Sequence, residues 1–208
     1  MYQGGSSVAL KSGVFIIESN EMMEEDESKF EGKILMEMLK LIGINVQYKY
    51  IRTTKELKAM INKFQESNYK YLHIACHGNE QEIGLTLEED GVAFESLGKM
   101  FKGEMEKRRL FLSSCSVMKG NRIEKGLLGT NFISITGPNE DIYFSDAVVF
   151  WVAFYHSLFI EKKKKKKKKI TNADMKSALE TFSSTFNIKL CTLILNENRD
   201  KYIRKDFL

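Results

Sequence analysis

A histidine and a cysteine, each at the exit of a short apolar run, carry the chemistry this sequence offers. Tyr71-Leu-His-Ile-Ala-Cys-His77-Gly78 ends in His-Gly, and Arg109-Leu-Phe-Leu-Ser-Ser-Cys115-Ser116 ends in a thiol set among serines. A thiol attacks a carbonyl carbon only as thiolate; an imidazole within reach generates the thiolate and later returns the proton to a leaving group. The amides of Gly78 and Cys115 are the donors expected to face a developing oxyanion, the glycine because its backbone approaches a ligand closely. Ser113, Ser114 and Ser116 keep the turn around the thiol small, so a peptide could reach it. The expected reaction is acyl transfer, with Cys115 as nucleophile and His77 as proton acceptor and donor.

Those two residues meet only if their segments are neighbouring strands. Each run has the length and turn residues of a buried strand in a parallel sheet, whose carboxyl edge is where open α/β folds hold their ligands. The preceding chain supplies the rest of the pattern. Gly13–Glu18 reads as a strand, Lys29–Ile42 as a helix ended by Gly43, and Ile44–Ile51 as an alternating strand. A second helix follows Thr53, with Thr53 and Glu56 in the order of a capping box. This β-α-β-α-β order predicts a mostly parallel sheet with right-handed crossovers, helices on both faces and consecutive strands side by side. The acidic segment Glu21–Glu27 reads as a solvated loop or helix start. Ile83–Leu87 and Val92–Phe94, joined through Asp90-Gly91, read as a small hairpin insertion. A short helix spans about 95–101. Downstream, Asn131–Thr136 is expected as a strand closed by Gly137-Pro138. Ser145 is expected to cap an apolar helix to about Ile160, a further helix to start at Thr171 or Asn172, and Leu190–Leu195 to form an edge strand.

Composition fits one domain over residues 1–208, with a loose start at 1–11 and an exposed lysine-rich loop at 161–170. Hydrophobic residues are 43% and charged residues 29%, ordinary for a globular chain. The formal charge of +4 includes eight consecutive lysines, Lys162 to Lys169, so the remainder is mildly acidic, the overall charge is no sign of a basic face, and no specific nucleic-acid binding is expected. Three cysteines without regular spacing make no disulfide framework and fit a reducing compartment. The N-terminus lacks the order of a signal peptide, and the apolar stretch Ala147–Ile160 is shorter than a membrane span. A cytoplasmic protein is expected. No glycine-rich phosphate loop occurs.

The neighbouring candidates read differently. His73 shares the parity of His77 but lies deeper, as a satisfied buried histidine would. Cys76 has the opposite parity and belongs in the core. Strand alternation therefore argues against a zinc site from His73, Cys76, His77 and Cys115. His156 reads as packing or surface, and Cys191 opens a strand without a partner motif.

The motifs His73-Ile-Ala-Cys-His77-Gly78 and Phe111-Leu-Ser-Ser-Cys115 resemble those of the caspase-like (clan CD) cysteine proteases, which share a His-Gly after one strand and a small-residue-Cys after the next. The bacterial CHAT proteases are the closer resemblance, because Ser-Ser-Cys-Ser-Val is not the caspase Gln-Ala-Cys-Arg-Gly. The hairpin at Asp90-Gly91 and the helix from Tyr143 to Tyr155 are also similar to elements of that group. The resemblance implies a three-layer caspase-like α/β fold and a cysteine endopeptidase using His77 and Cys115 without metal or organic cofactor. It further implies a protein or peptide substrate and limited cleavage of a partner in defence or cell death, with a separate sensor or regulatory partner. In relatives that cut after basic residues an acidic residue lines the first pocket, and Asp141 and Asp146 are the candidates here. A catalytically inactive binding or regulatory subunit on the same fold is the alternative.

Overall fold

The computed structural model describes residues 10–101, 105–164, 166 and 169–208. Residues 1–9 of the expected loose start, and 165, 167 and 168 of the lysine run, lie outside the described residues. In chain order the elements are β1 (Lys11–Ser19), α1 (Met22–Asp26), α2 (Glu31–Leu41), β2 (Asn45–Tyr50), α3 (Thr54–Glu66), β3 (Tyr69–Cys76), β4 (Glu82–Ile83), β5 (Val92–Ala93), α4 (Phe94–Met100) and β6 (Arg109–Ser113). They continue with α5 (Arg122–Leu127), β7 (Ser134–Pro138), α6 (Phe144–Lys164), α7 (Asn172–Phe186), β8 (Leu190–Leu195) and β9 (Tyr202–Phe207).

Seven strands form one sheet in the order β2-β1-β3-β6-β7-β8-β9, parallel through β7 and antiparallel from there on. Alternation along the strands divides the core into two. Phe15, Ile17, Leu72, Ile74, Leu110 and Leu112 face α3, α4 and α5, while Val14, Ile16, Tyr71 and Phe111 face α2, α6 and α7. A mostly parallel sheet covered on both faces makes three layers, as expected from the β-α-β order.

Local signals place several elements. Thr53 caps α3 through the Glu56 amide, and Glu56 bonds back to the Thr53 amide. Thr171 and Asp174 do the same for α7. At the start of α2 the Gly32 amide donates to Glu18 Oε1 at 2.7 Å. A Cβ on Gly32 would stand 2.8 Å from an Ile16 methyl, so glycine lets this helix start press onto β1.

Elsewhere the structure departs from the expectations. Leu190–Leu195 is not an edge strand: β9 pairs along its free side, through a register running from Leu190–Phe207 to Leu195–Tyr202. Strand β9 carries Arg204, Lys205 and Asp206 in succession between its buried ends Tyr202 and Phe207, a charged run suited to an edge. Strand β7 runs through Gly137-Pro138 instead of stopping before them, because β8 pairs antiparallel along it as far as Gly137–Cys191 and Pro138–Leu190. Asn131, at φ 64°, turns the chain just upstream, and α5 went unanticipated. The hairpin exists, but each of its strands is two residues long.

The lysine run is not wholly a loop, since Lys162–Lys164 form the last turn of α6. Lys162 Nζ donates to Ser12 Oγ at 2.5 Å and Lys163 Nζ to the Ile42 carbonyl at 2.5 Å. Cations there oppose the negative end of the helix dipole. Ser145 lies inside this helix and does not cap it. With its lysine turn α6 reaches 21 residues, long and apolar enough by length and composition to cross a membrane, yet it buries Phe150, Trp151, Phe154, Tyr155 and Phe159 in the core.

Candidate functional site

Parallel pairing of β3 with β6 sets Ala75 opposite Ser113. His77 and Cys115 each lie two residues further on, so both leave the sheet at the same level of its carboxyl edge. Contacts beyond the strands hold the exits together. The Cys76 thiol and the Ser114 hydroxyl are 3.3 Å apart. A Cβ on Gly78 would stand 3.0 Å from Ser114 Cβ and 3.1 Å from a Val117 methyl, so the glycine backbone lies directly on the turn that carries Cys115.

That turn is clamped from its other side. Ser116 adopts a left-handed conformation (φ 54°), and its amide donates to the Glu140 carbonyl at 3.0 Å. The Ser116 hydroxyl donates to Asp141 Oδ1 at 2.8 Å. The segment before α6 thus frames the thiol, and Cys115 Sγ lies 3.5 Å from the Ile142 carbonyl, the oxygen it faces.

Beneath the exits lies a polar layer. Glu31 is buried, accepting from Ser113 Oγ at 2.8 Å and lying 3.3 Å from His73 Nε2. Trp151 Nε1 donates to the same Ser113 hydroxyl at 2.8 Å, and Tyr155 Oη lies 3.3 Å from His73 Nδ1. His73 is fully buried with both nitrogens engaged, as its depth in the strand predicts. Next to it Glu18 accepts from Tyr48 Oη at 2.7 Å, and burial pushes its carboxyl up to about 7 despite that bond.

His77 and Cys115 line one cavity of about 100 Å³, together with Asn20, Glu24, Glu31 and Cys76. An adjoining cavity of about 430 Å³ shares Asn20 and His77 and carries Gly78, Glu82, Glu88 and Glu89 on its walls. The His77 side chain is about half exposed (47%), and its Nε2 lies 2.7 Å from Glu24 Oε2. Among the described residues no hydrogen bond joins the Cys115 thiol to the imidazole. Unliganded thiol–imidazole pairs are commonly loose and tighten only around a substrate.

Neither the Gly78 amide nor the Cys115 amide donates a backbone hydrogen bond among the described residues. Bonds from the Gly84 amide to the His77 carbonyl (2.8 Å) and from the Asn79 amide to the Glu82 carbonyl (3.0 Å) flank Gly78 and leave its own amide out of the ladder.

Other expectations resolve plainly. Cys76 packs against the core on the face of Leu72 and Ile74, as its parity predicts, and is half-buried where it also meets the cavity; burial pushes its thiol up to about 12, the Ser114 hydroxyl only partly opposing. Cys191 is buried, with its thiol also pushed up to about 12. His156 is on the surface. Asp141 stands beside the thiol's turn through Ser116, whereas Asp146 is exposed in the first turn of α6, and neither lines the cavity. The acids that do line it, Glu24 and Glu31, were not singled out from sequence. The available signal was position: the acidic stretch follows directly on β1, whose end lies on the same sheet edge as His77.

No protein-family model matches the chain, and no curated protein matches it. Among solved structures, the X-ray structure of the secreted C11 cysteine protease "iotapain" from Bacteroides thetaiotaomicron is similar over 90% of this chain and 67% of that one, with a TM-score of 0.51 and 12% identity. The chain has a caspase-like fold. The likeness is one of architecture alone, and the neighbour is a C11 protease, so nothing in it singles out a CHAT branch. Within a caspase-like fold the sheet edge that carries His77 and Cys115 is the carboxyl edge, where α/β folds keep their chemistry.

Proposed function

We propose that the protein is a cysteine endopeptidase, of the CHAT kind, that hydrolyses peptide bonds in a partner protein through Cys115 and His77. The observation that carries this reading is the shared cavity of thiol and imidazole at one sheet edge, with the Gly78 and Cys115 amides, which donate no backbone hydrogen bond among the described residues, beside it. His77 takes the thiol proton, and the thiolate attacks the scissile carbonyl carbon. The Gly78 and Cys115 amides stabilise the oxyanion, and the imidazolium returns the proton to the departing amine. Water then attacks the thioester with His77 as base, releasing the acid product and restoring the thiol.

Asp141, one residue before the cavity-lining Ile142, is better placed than Asp146 to meet a basic substrate side chain. The three unpaired cysteines suit a reducing, cytoplasmic setting, and a defence or cell-death role with a separate sensor partner follows from the resemblance to CHAT proteases. The chemistry described calls for no metal or organic cofactor.

The test is labelling by a peptide-based thiol electrophile alongside hydrolysis of fluorogenic peptides. Wild type is expected to label and to cleave, and Cys115→Ala to do neither. Equal labelling of the two proteins removes Cys115 from the mechanism. One observation favours a second reading, an inactive regulatory subunit: the Cys115 thiol faces the Ile142 carbonyl and not the imidazole. Absence of both labelling and cleavage in wild type, even with a partner bound, supports that reading.

A further inference from the structure

Glu24 stands outside both strand motifs, yet its carboxylate holds the ring of His77. We infer that Glu24 is a positioning residue for the candidate reaction: it accepts the Nε2–H of His77, leaves Nδ1 as the nitrogen that takes the Cys115 proton, and balances the charge of the imidazolium that results. The inference rests on the endopeptidase reading and deepens it.

The geometry is specific. His77 Nε2 and Glu24 Oε2 are 2.7 Å apart, and both residues line the cavity that holds Cys115. A carboxylate only accepts, so the ring nitrogen facing it carries the hydrogen, and the neutral imidazole is then the Nε2–H form with a lone pair on Nδ1. Transfer of the thiol proton to Nδ1 leaves thiolate and imidazolium, the latter paired with Glu24; no other atom changes hands.

Helix α1 is braced to keep the acid in place. The same Oε2 accepts the Glu21 amide at 3.1 Å, closing the helix's own capping box. One residue on, Glu25 accepts from Arg52 Nε at 3.1 Å and also from the Tyr50 hydroxyl, tying α1 to the end of β2. These bonds hold the Glu25 carboxyl below the usual carboxylate range.

Because Glu24 also caps α1, removing it could act through structure alone, and two variants separate the roles. Glu24→Gln can place a carbonyl oxygen where Oε2 stands and keep both hydrogen bonds while deleting the charge. Glu24→Ala deletes the bonds as well. A positioning role predicts kcat lower by about tenfold in Glu24→Gln with KM little changed, a modest share of general acid–base catalysis because the pair is partly exposed. Glu24→Ala should lose more, and Glu27→Gln on the same segment should match wild type.

Nitrogen-15 chemical shifts of His77 give a readout independent of hydrolysis. At a pH where the ring is neutral, wild type and Glu24→Gln should show the Nε2–H form, and Glu24→Ala a mixture. Should Glu24→Ala keep the wild-type tautomer, or wild type carry its hydrogen on Nδ1, the inference is overturned. A wild type that shows the Glu24-dependent tautomer but cleaves no peptide upholds the positioning and sinks the endopeptidase reading instead.

Discussion

Gly78 packs on Ser114: a side-chain carbon on the glycine would stand 3.0 Å from Ser114 Cβ, and 3.1 Å from both the Glu82 carbonyl oxygen and a Val117 methyl. This contact joins the loop after β3 to the turn after β6, and the residues flanking it are His77 and Cys115. Gly78→Ala forces those two segments apart by a few tenths of an ångström. It should cost about 1–2 kcal/mol of stability, the usual range for mild overpacking. Peptide hydrolysis should fall by more than that stability loss accounts for. Wild-type activity in a folded Gly78→Ala protein would show that the spacing of the two exits does not matter.

The three thiols differ in environment, and that difference predicts selective modification. Cys76 and Cys191 are pushed up to about 12 by burial, so almost none of either is thiolate near pH 8, whereas Cys115 is partly exposed in an open cavity. Iodoacetamide should therefore modify one thiol per native chain, and mass spectrometry should place the label on Cys115. In Cys115→Ala the native protein should stay unlabelled until denatured. Rapid labelling of Cys76 would contradict this assignment.

Glu18 carries a dependence of stability on pH whose sign follows from its shift. Its folded value is raised from 4.5 to about 7, so the native state holds this proton more tightly than the unfolded chain does. Below about pH 4.5 both states are protonated and the group costs nothing. Between there and about 7 the unfolded chain releases its proton first, and stability falls as pH rises, by about 3 kcal/mol in all. Glu18→Gln should match wild type near pH 4 and exceed it by about 1–3 kcal/mol near pH 8, measured as paired denaturant unfolding curves. A stability difference independent of pH would show that the carboxyl does not ionise within the fold.

A contact far from the cavity offers a control on stability alone. A Cβ on Gly98 in α4 would lie 1.9 Å from the Gly126 carbonyl oxygen in α5, an overlap that no rotamer change relieves. Gly98→Ala should destabilise by about 3 kcal/mol, the upper range for overpacking, as α4 and α5 separate. Where the variant is folded, its kcat should equal that of wild type. A thermal midpoint equal to wild type would refute the tight packing of these helices.

Much of the scaffold was legible because it is written in local periodicity. Alternation and short apolar runs located β1, β2, β3 and β6, and the capping box at Thr53 marked the start of α3; the start of α7 was legible only to Thr171 or Asn172, and the structure makes Thr171 its cap. Where local pattern and tertiary contact diverged, the contact won. Lys162–Lys164 continue α6 instead of opening a loop, with Ser12 and the Ile42 carbonyl accepting from Lys162 and Lys163, and β8 lies inside the sheet because β9 covers it. Glu24 was invisible as a partner of His77, since a glutamate in an acidic run looks the same whether it meets water or an imidazole.

The sequence by itself determined the class of architecture and the two strand exits at which a histidine and a cysteine would emerge, because strand length, order and side-chain parity are local properties. Only the tertiary structure decided the register that sets Ala75 against Ser113, the seating of Gly78 on the cysteine's turn, and the carboxylates that surround the pair. Those relations join segments distant in the chain. They depend on how whole faces pack, and no stretch of residues encodes that alone.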